Sequence, residues 1–197
     1  MASKEAHDST GWAAGIIAAA VVQQAGAQGP YYMWSILAVL TGFLGGTAPD
    51  WLELVWWRRG SGRHSWIPHR TLTHWGIAWV ALLVGSYYAL PHQPWMPLVF
   101  GFACGGMMHL LADWPNPMGV PWLFIHKRHS LNLWSSGRCD WIVQGAAWLA
   151  AALMVDNAWF DAAVAEYMQE LLHRSDLFRE GLALLKSLWS EAKRLIS

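Results

Sequence analysis

The sequence predicts an all-α fold: a polytopic helical bundle in a membrane, with four to five spanning helices and a C-terminal amphipathic helix or helix pair. Hydrophobic residues make up 55% of the 197 residues and charged residues 13%, which is too apolar for an ordinary soluble domain. Apolar stretches recur along the chain as far as Val155. Beyond that point the pattern becomes amphipathic. These observations indicate a membrane protein.

The apolar stretches run from Gly11 to Ala27, Tyr31 to Ala48, Leu72 to Leu90, Trp95 to Leu111 and Trp141 to Val155. A helix needs about 20 apolar residues to cross the hydrocarbon core, with a range of roughly 17 to 25. The second, third and fourth stretches meet this requirement, and the first and last are marginal. A soluble bundle is the alternative, but it leaves too little polar surface to cover these helices. We therefore predict a membrane domain over residues 1–157.

The C-terminal segment, residues 158–197, alternates apolar and charged residues at helical spacing. An amphipathic helix of this kind lies in the membrane interface or packs on another protein surface. The expected partner of this extension is therefore either membrane lipid or a protein. The protein could be a second copy of the chain. The pattern alone does not choose between them.

The loops predict the orientation of the bundle. Lysine and arginine are concentrated between Trp51 and Arg70 and between Trp114 and Asp140, whereas Gln28 to Pro30 and Pro91 to Pro94 have none. The positive-inside rule places the two basic loops in the cytoplasm. The formal net charge is zero, so nucleic acid is not an expected partner. Two cysteines provide neither a disulfide framework nor a metal-binding motif.

Histidines and carboxylates collect at the cytoplasmic ends of the predicted helices. The second helix ends near Asp50, the third begins near His69 and His74, and the fourth ends at His109 and Asp113. Residues four apart lie on one face of a helix, so His109 and Asp113 can bind one ion. Ionisable groups bordering membrane helices are costly and usually functional. We predict that these five residues are metal ligands.

Imidazole and carboxylate are the ligands of catalytic zinc, and related open sites accept manganese or iron. Zinc is the expected metal, with manganese and iron as alternatives. A divalent ion in such a site makes hydroxide available at neutral pH, which serves hydrolysis. Asp50 and Glu53 are the candidate catalytic carboxylates, with Glu53 as a general base or a substitute ligand.

Cationic residues beside the predicted ligands suit an anionic substrate or a lipid headgroup. The candidates for substrate binding are Arg70, Lys127, Arg128 and His129. An ordinary positive-inside loop is the alternative for the last three. His7, His92 and His173 have no neighbouring ligands in the sequence and are expected to be solvated.

Four motifs follow one another in the order of the helices. They are HRTLTHW at His69 to Trp75, HLLAD at His109 to Asp113, PNPMGVPW at Pro115 to Trp122 and RHSLNLWSSG at Arg128 to Gly137. In this combination the chain resembles the LexA-regulated, inner-membrane metal-dependent hydrolase family over roughly Thr10 to Asp140. The resemblance implies a multi-pass protein of the bacterial inner membrane with hydrolase activity.

The chain departs from the family pattern near two of its motifs. The family usually has a Thr-His pair opening the first helix, where this sequence reads Thr10-Gly11. Its Pro-Asp-x-Asp-His motif appears here with Leu52 and Glu53 in the last two places. Loss of one histidine and one aspartate implies a site with fewer metals, Glu53 as a ligand, or lost activity. A membrane scaffold with a structural metal or polar cluster and a partner-binding C-terminal helix is the competing function.

Overall fold

The structure is a computed structural model and describes residues 2–25, 31–58, 62–68, 70–135 and 137–155. The helices within these ranges are α1 (Lys4–Gln24), α2 (Tyr31–Gly45), α3 (Ala48–Trp51), a 3-10 turn (Leu72–His74), α4 (Gly76–Ala89), α5 (Met96–Asp113) and α6 (Asp140–Met154). The predicted helical character is confirmed. The predicted ligand His69 and the predicted extension at residues 158–197 lie outside the described residues.

The loop between α3 and the 3-10 turn contains an antiparallel hairpin, so the prediction of a purely α-helical fold is wrong there. Strand β1 (Val55–Arg58) pairs with β2 (Gly62–Ser65), with Val55 opposite Ser65. Valine and tryptophan favour strands because their side chains fit a pleated surface. Four-residue strands are too short for sequence alternation to be informative.

The first helix begins earlier than its apolar stretch. Ser3 is the N-cap of α1, and its hydroxyl accepts a hydrogen bond from the backbone N–H of Ala6 at 3.2 Å. This satisfies one of the free N–H groups of the first helical turn. The helix therefore contains the polar residues from Lys4 onward, and His7 lies near its start. From the sequence we took Gly11 as the beginning of the apolar segment and expected His7 to be solvated.

Small residues let three helices approach closely. Helix α2 packs against both α1 and α5, α4 packs on α5, and α6 packs on α1. A methyl group at Gly105 of α5 would overlap the carbonyl oxygen of Gly42 in α2, and one at Gly42 would overlap the backbone of Gly15 in α1. Such backbone contacts are typical of helix association in membranes.

Among the described helices, α5 is the one that is long and apolar enough to cross a membrane. Helices α2 and α6 have 15 residues and α4 has 14, or about 22 Å of helix against a hydrocarbon core of about 30 Å. The four to five spans predicted from the sequence are therefore not supported by helix length. The apolar stretch from Leu72 to Leu90 includes the 3-10 turn, which shortens the helix within it.

The shorter helices nevertheless present apolar side chains outward. Those exposed include Ile36, Leu40 and Leu44 on α2, Val80 and Val84 on α4, and Leu149 and Leu153 on α6. Exposed apolar patches of this kind mark a contact surface for a membrane or for another protein.

The bundle brings several helix ends together at one end of the fold. The backbone N–H of Ala2, just before α1, donates to Asp113 Oδ1 at the end of α5 at 2.8 Å, and that of Ser3 donates to Asp140 Oδ2 at the start of α6 at 2.7 Å. His109 near the end of α5 contacts the carbonyl of Gly46, just after α2, at 2.8 Å. The candidate site is built at this end.

Candidate metal centre

His109 presents one ring nitrogen to the centre of the site. The side chain is fully buried, and its Nδ1 lies 2.8 Å from the carbonyl oxygen of Gly46. A carbonyl oxygen can only accept, so Nδ1 carries the proton and Nε2 keeps its lone pair. Hydrogen bonding of the outer nitrogen to a backbone carbonyl is how metal-binding histidines are oriented. Nε2 of His109 has no hydrogen-bond partner among the described residues.

Asp50, on the short helix α3, faces two imidazoles with a single oxygen. Its Oδ1 lies 3.5 Å from His74 Nε2 and 3.8 Å from His109 Nε2. These distances exceed those of hydrogen bonds. The side chain retains 29% of its exposure, whereas those of His74 and His109 are closed to solvent. Asp50 therefore lies where solvent reaches the cluster.

The ionised form of Asp50 is favoured by its neighbours. Burial raises the pKa of this carboxyl group, but the close contact with His74 and the electrostatic influence of His109 outweigh it. The net effect is a pKa below the usual value of 3.8. Asp50 is therefore a carboxylate at neutral pH, as a metal ligand must be.

His74, at the end of the 3-10 turn, is held between two carboxylates. Its Nε2 faces Asp50, and its Nδ1 lies 3.6 Å from Oε1 of Glu53 and 3.1 Å from the hydroxyl of Thr73. Glu53 is fully buried, and its Oε1 also accepts the backbone N–H of Arg70 at 3.1 Å. The structure thus places Glu53 behind His74, on the side of the ring away from Asp50.

His7 belongs to the cluster, so the expectation that it is solvated is wrong. Its side chain is 2% exposed, and its ring stacks on that of His109 with centroids 3.8 Å apart. Its Nε2 lies 3.6 Å from Asp113 Oδ1. Neither ring nitrogen of His7 has a hydrogen-bond partner among the described residues, an arrangement that is costly for a buried polar group.

The position of His7 also accounts for the departure at Gly11. These residues are four apart and share one face of α1. A side chain at Gly11 would press on the backbone of α2, with a Cβ 3.1 Å from the carbonyl oxygen of Phe43 and 3.2 Å from Cα of Gly46. A histidine does not fit there without displacing α2. The first helix supplies its imidazole one turn earlier, so a histidine from α1 is present after all.

Asp113 is engaged through both of its oxygens. Oδ1 accepts the backbone N–H of Ala2 at 2.8 Å, and Oδ2 accepts a hydrogen bond from Arg70 Nη2. Oδ2 also lies 3.8 Å from His109 Nε2. Arg70 itself is fully buried, although it was predicted from its basic loop to contact substrate. Among the described residues it joins Asp113 to the carbonyl of Gly119, 2.7 Å from Nη1.

Within the part of the chain that the structure describes, three overlapping triplets could hold an ion, and in each the ligand atoms lie within 4.8 Å of one another. They are His7, Asp50 and His109; His74, His109 and Asp113; and Asp50, Glu53 and His74. Four of the five predicted ligands, Asp50, His74, His109 and Asp113, are thus brought together. Asp50, the 3-10 turn and the end of α5 come together, as we predicted from the positions of the helix ends in the sequence.

The loop after α5 is anchored beside this cluster. The backbone N–H groups that open α4, at Gly76 and Ile77, donate to the carbonyls of Pro121 and Trp122 at 3.0 and 3.1 Å. Val120 forms a two-hydrogen-bond bridge with His129, at 2.9 Å in each direction. Through Gly119 and Arg70 the loop is connected to Asp113. His129 therefore belongs to the segment that borders the cluster.

The remaining predicted substrate residues are on the surface. Lys127, Arg128 and His129 are exposed, and Nζ of Lys127 lies 5.7 Å from the ring centroid of Phe124. Phe124 is itself 61% exposed. Cationic and apolar side chains therefore stand next to one another on this loop.

A comparison with family models matches residues 1–169 to the family described as YdjM inner membrane protein. No curated protein and no solved structure shows a significant match. The family match includes every candidate ligand, and it confirms the inner-membrane part of the predicted resemblance. Regulation by LexA and hydrolase activity are not part of what it shows. The chain belongs to the YdjM inner membrane protein family.

Proposed function

We propose that this chain is a membrane-bound, metal-dependent hydrolase that acts at the cytoplasmic membrane face on a phosphoester or lipid-linked substrate. The observation that carries the proposal is the position of Asp50 Oδ1, at 3.5 Å from His74 Nε2 and 3.8 Å from His109 Nε2. The rest of the cluster is buried, and the side chain of Asp50 is partly exposed. Such a site can hold an ion and still admit a substrate.

The spacing of the donor atoms supports a metal. Atoms bound to one zinc ion at 2.0–2.1 Å in a tetrahedron lie about 3.3 Å from one another. The observed separations of 3.5–3.8 Å need only small side-chain movements to reach this value. They are too long for hydrogen bonds, so they leave the buried nitrogen of His109 without a partner.

His7 completes the donor set in this proposal. With both ring nitrogens lacking hydrogen bonds among the described residues, a bound cation is the simplest way to satisfy this buried imidazole. Asp50, His74 and His109 are the central ligands, and His7 and Asp113 flank them. Imidazole and carboxylate donors suit zinc best, and the same donors accept manganese or iron.

A divalent ion held here supplies Lewis-acid chemistry, polarising a water molecule and the bond to be cleaved. Asp50 is the residue placed to receive a proton from that water, because it is ionised and its side chain is partly exposed, although Oδ1 itself is turned inward to the imidazoles. Glu53 is closed to solvent and contacts the outer nitrogen of His74. We assign it the orientation of His74, which fits its position better than the role of general base.

The loop after α5 supplies the substrate contacts in this proposal. Lys127, Arg128 and His129 are exposed on the segment that borders the cluster. Cations next to exposed apolar side chains such as Phe124 match an anionic headgroup attached to an acyl chain. Arg70 is excluded from this role because its guanidinium is buried against Asp113.

Several membrane crossings fit the outward-facing apolar side chains of α2, α4 and α6. We propose that these helices lie in the bilayer beside α5, as short helices can where flanking residues reach the interface or the bilayer thins. The basic loops then lie in the cytoplasm by the positive-inside rule, together with the candidate metal centre.

The hydrolase is tested with full-length protein in detergent, loaded with zinc or manganese. The probes are bis(p-nitrophenyl) phosphate and phosphatidic acid in mixed micelles. We expect metal-dependent hydrolysis that a chelator abolishes and that Asp50→Asn lowers by more than about a hundredfold, a loss typical for a proton-transfer group. Glu5→Gln, at an exposed carboxylate on α1, is the matched control and should retain activity.

The competing scaffold function would give a different outcome. A protein that binds metal tightly but hydrolyses neither probe, with Asp50→Asn affecting only stability, would favour a structural metal. The observation that favours this alternative is the hydrogen bond between Ala2 and Asp113, which ties the start of α1 to the end of α5.

A further inference from the structure

Arg70 is a buried cation inside the candidate metal centre. Its side chain is fully closed to solvent, and its hydrogen bonds run to Asp113 Oδ2 and to the carbonyl of Gly119. A guanidinium does not lose its proton in a protein. Arg70 therefore brings a permanent positive charge to a cluster whose other members are carboxylates and imidazoles.

The backbone of Arg70 has an unusual conformation and, like its side chain, contacts a carboxylate of the cluster. Its φ of 57° lies in the left-handed region, which a residue with a side chain adopts only when its surroundings hold it there. The backbone N–H donates to Glu53 Oε1 at 3.1 Å. One residue thus contacts Glu53 through its backbone and Asp113 through its side chain.

The charges of the cluster fit one divalent ion. Asp50, Glu53 and Asp113 are the carboxylates, and Arg70 is the cation, so a single divalent ion makes the group formally neutral. A second ion would leave an excess of positive charge among buried side chains, which is costly. In centres with two metals the ions lie about 3.5–4 Å apart and commonly share carboxylates.

Asp113 is the carboxylate that a second ion would need. Its Oδ2 lies 3.8 Å from His109 Nε2 and accepts a hydrogen bond from Arg70, while its Oδ1 lies 3.6 Å from His7 Nε2. A second ion bound by His7 and Oδ1 would share this carboxylate with the guanidinium at Oδ2, and the two cations would repel. Arg70 thus occupies Oδ2, the oxygen that faces His109, whereas a carboxylate that bridges two ions needs both of its oxygens.

We infer that Arg70 restricts the centre to one metal ion, with its guanidinium taking the place of a second ion at Asp113. This inference rests on the proposed metal centre. It makes the enzyme a hydrolase with one metal, in which Asp50 receives the proton of the attacking water. Arg70 is a positioning residue, since it acts through Asp113.

The test is the number of zinc ions bound per chain, measured by elemental analysis of full-length protein after saturation and removal of free metal. The wild type should hold one ion. Arg70→Met, which keeps much of the side-chain volume without the charge, should hold two. Asp113→Asn in the Arg70→Met background should return the count to one, and Arg70→Lys, which keeps the charge, should hold one.

Further controls separate a change in ion number from a change in folding. Arg138→Met removes an exposed arginine and should leave one ion. In the cobalt form, Arg70→Met should show magnetic coupling between two ions by electron paramagnetic resonance, a signature that misfolding does not create. If Arg70→Met fails to fold, Arg70→Gln keeps a donor for Gly119 and should also hold two ions.

Two ions in the wild type, or one ion in a folded Arg70→Met or Arg70→Gln variant, would overturn the inference and leave the metal centre itself standing. A wild type that binds no metal would overturn the metal centre. The two failures are therefore distinguishable.

Discussion

The imidazole rings of His7 and His109 lie face to face, with centroids 3.8 Å apart and planes inclined by 12°. They come from the first turn of α1 and the last turns of α5, so two helices far apart in sequence meet at the candidate metal centre. His7 faces Asp113, and His109 faces both Asp113 and Asp50. This contact adds α1 to the helices that build the site.

His7→Ala should weaken zinc binding by about 10–100-fold or more. Loss of a group that only supports a ligand already has an effect in this range. The reason is that His7 is a buried donor with neither nitrogen hydrogen-bonded among the described residues. Isothermal titration of metal-free protein measures the effect. His92→Ala removes an exposed histidine and should bind like the wild type. Equal zinc affinity of His7→Ala and His92→Ala would exclude His7 from the centre.

Glu53→Gln should weaken metal binding by about 10–100-fold, because a carboxylate behind a ligating imidazole fixes its orientation and raises its basicity. Glu53 contacts the outer nitrogen of His74 at 3.6 Å. The measurement is zinc affinity, with Glu5→Gln, an exposed carboxylate on α1, as the control. Unchanged affinity combined with lost hydrolysis would instead make Glu53 the general base.

The sequence was sufficient to predict where Asp50, His74, His109 and Asp113 meet. Successive helices of a bundle that are joined by short loops run antiparallel, so the end of one helix and the start of the next share one end of the fold. The i, i+4 spacing of His109 and Asp113 adds a common helix face. These rules concern the periodicity and length of segments, and both can be read from residue types.

His7 was missed because charged residues surround it. His7 had no neighbouring predicted ligand in the sequence, it stands among Lys4, Glu5 and Asp8, and the apolar stretch begins only at Gly11. The signal that could have found it is Ser3, a favoured N-cap residue, followed by His7 and Gly11 four apart on one helix face. A helix that begins at an N-cap residue can have a polar first turn, and a hydropathy pattern does not reveal such a turn.

The burial of Arg70 was not predictable from its surroundings in the sequence. It follows other arginines in a basic loop, where the positive-inside rule gives each of them the same interpretation. Its ion pair with Asp113 joins residues 43 positions apart. Only the packing of the loop against the end of α5 distinguishes this arginine from its neighbours.

Gly105→Ala should destabilise the bundle by about 1–3 kcal/mol, the usual cost of overpacking, because the added methyl group overlaps the carbonyl oxygen of Gly42. Thermal unfolding in detergent measures the change. Gly85→Ala on α4 has open space around the added methyl group and should be neutral or stabilising by less than about 1 kcal/mol. Equal stability of the two variants would contradict the close packing of α2 and α5.

Cys139 should react with a membrane-impermeant maleimide in inverted membrane vesicles and not in intact spheroplasts. It is partly exposed just before α6, at the same end of the fold as the candidate metal centre. The control is Gln93→Cys in a Cys139→Ala background, since Gln93 is exposed in the loop between α4 and α5. This cysteine should react in intact spheroplasts and not in inverted membrane vesicles. Labelling of Cys139 in spheroplasts would place the centre outside the cytoplasm.

The central claim is that the end of this bundle holds a divalent metal ion, and the most direct measurement is the metal content of purified full-length protein. Elemental analysis should find about one zinc or manganese ion per chain in the wild type, as one tetrahedral donor set can hold, and little in His109→Ala. A wild type that stays free of metal after exposure to zinc and manganese, or a His109→Ala variant that keeps its full metal content, would contradict the account.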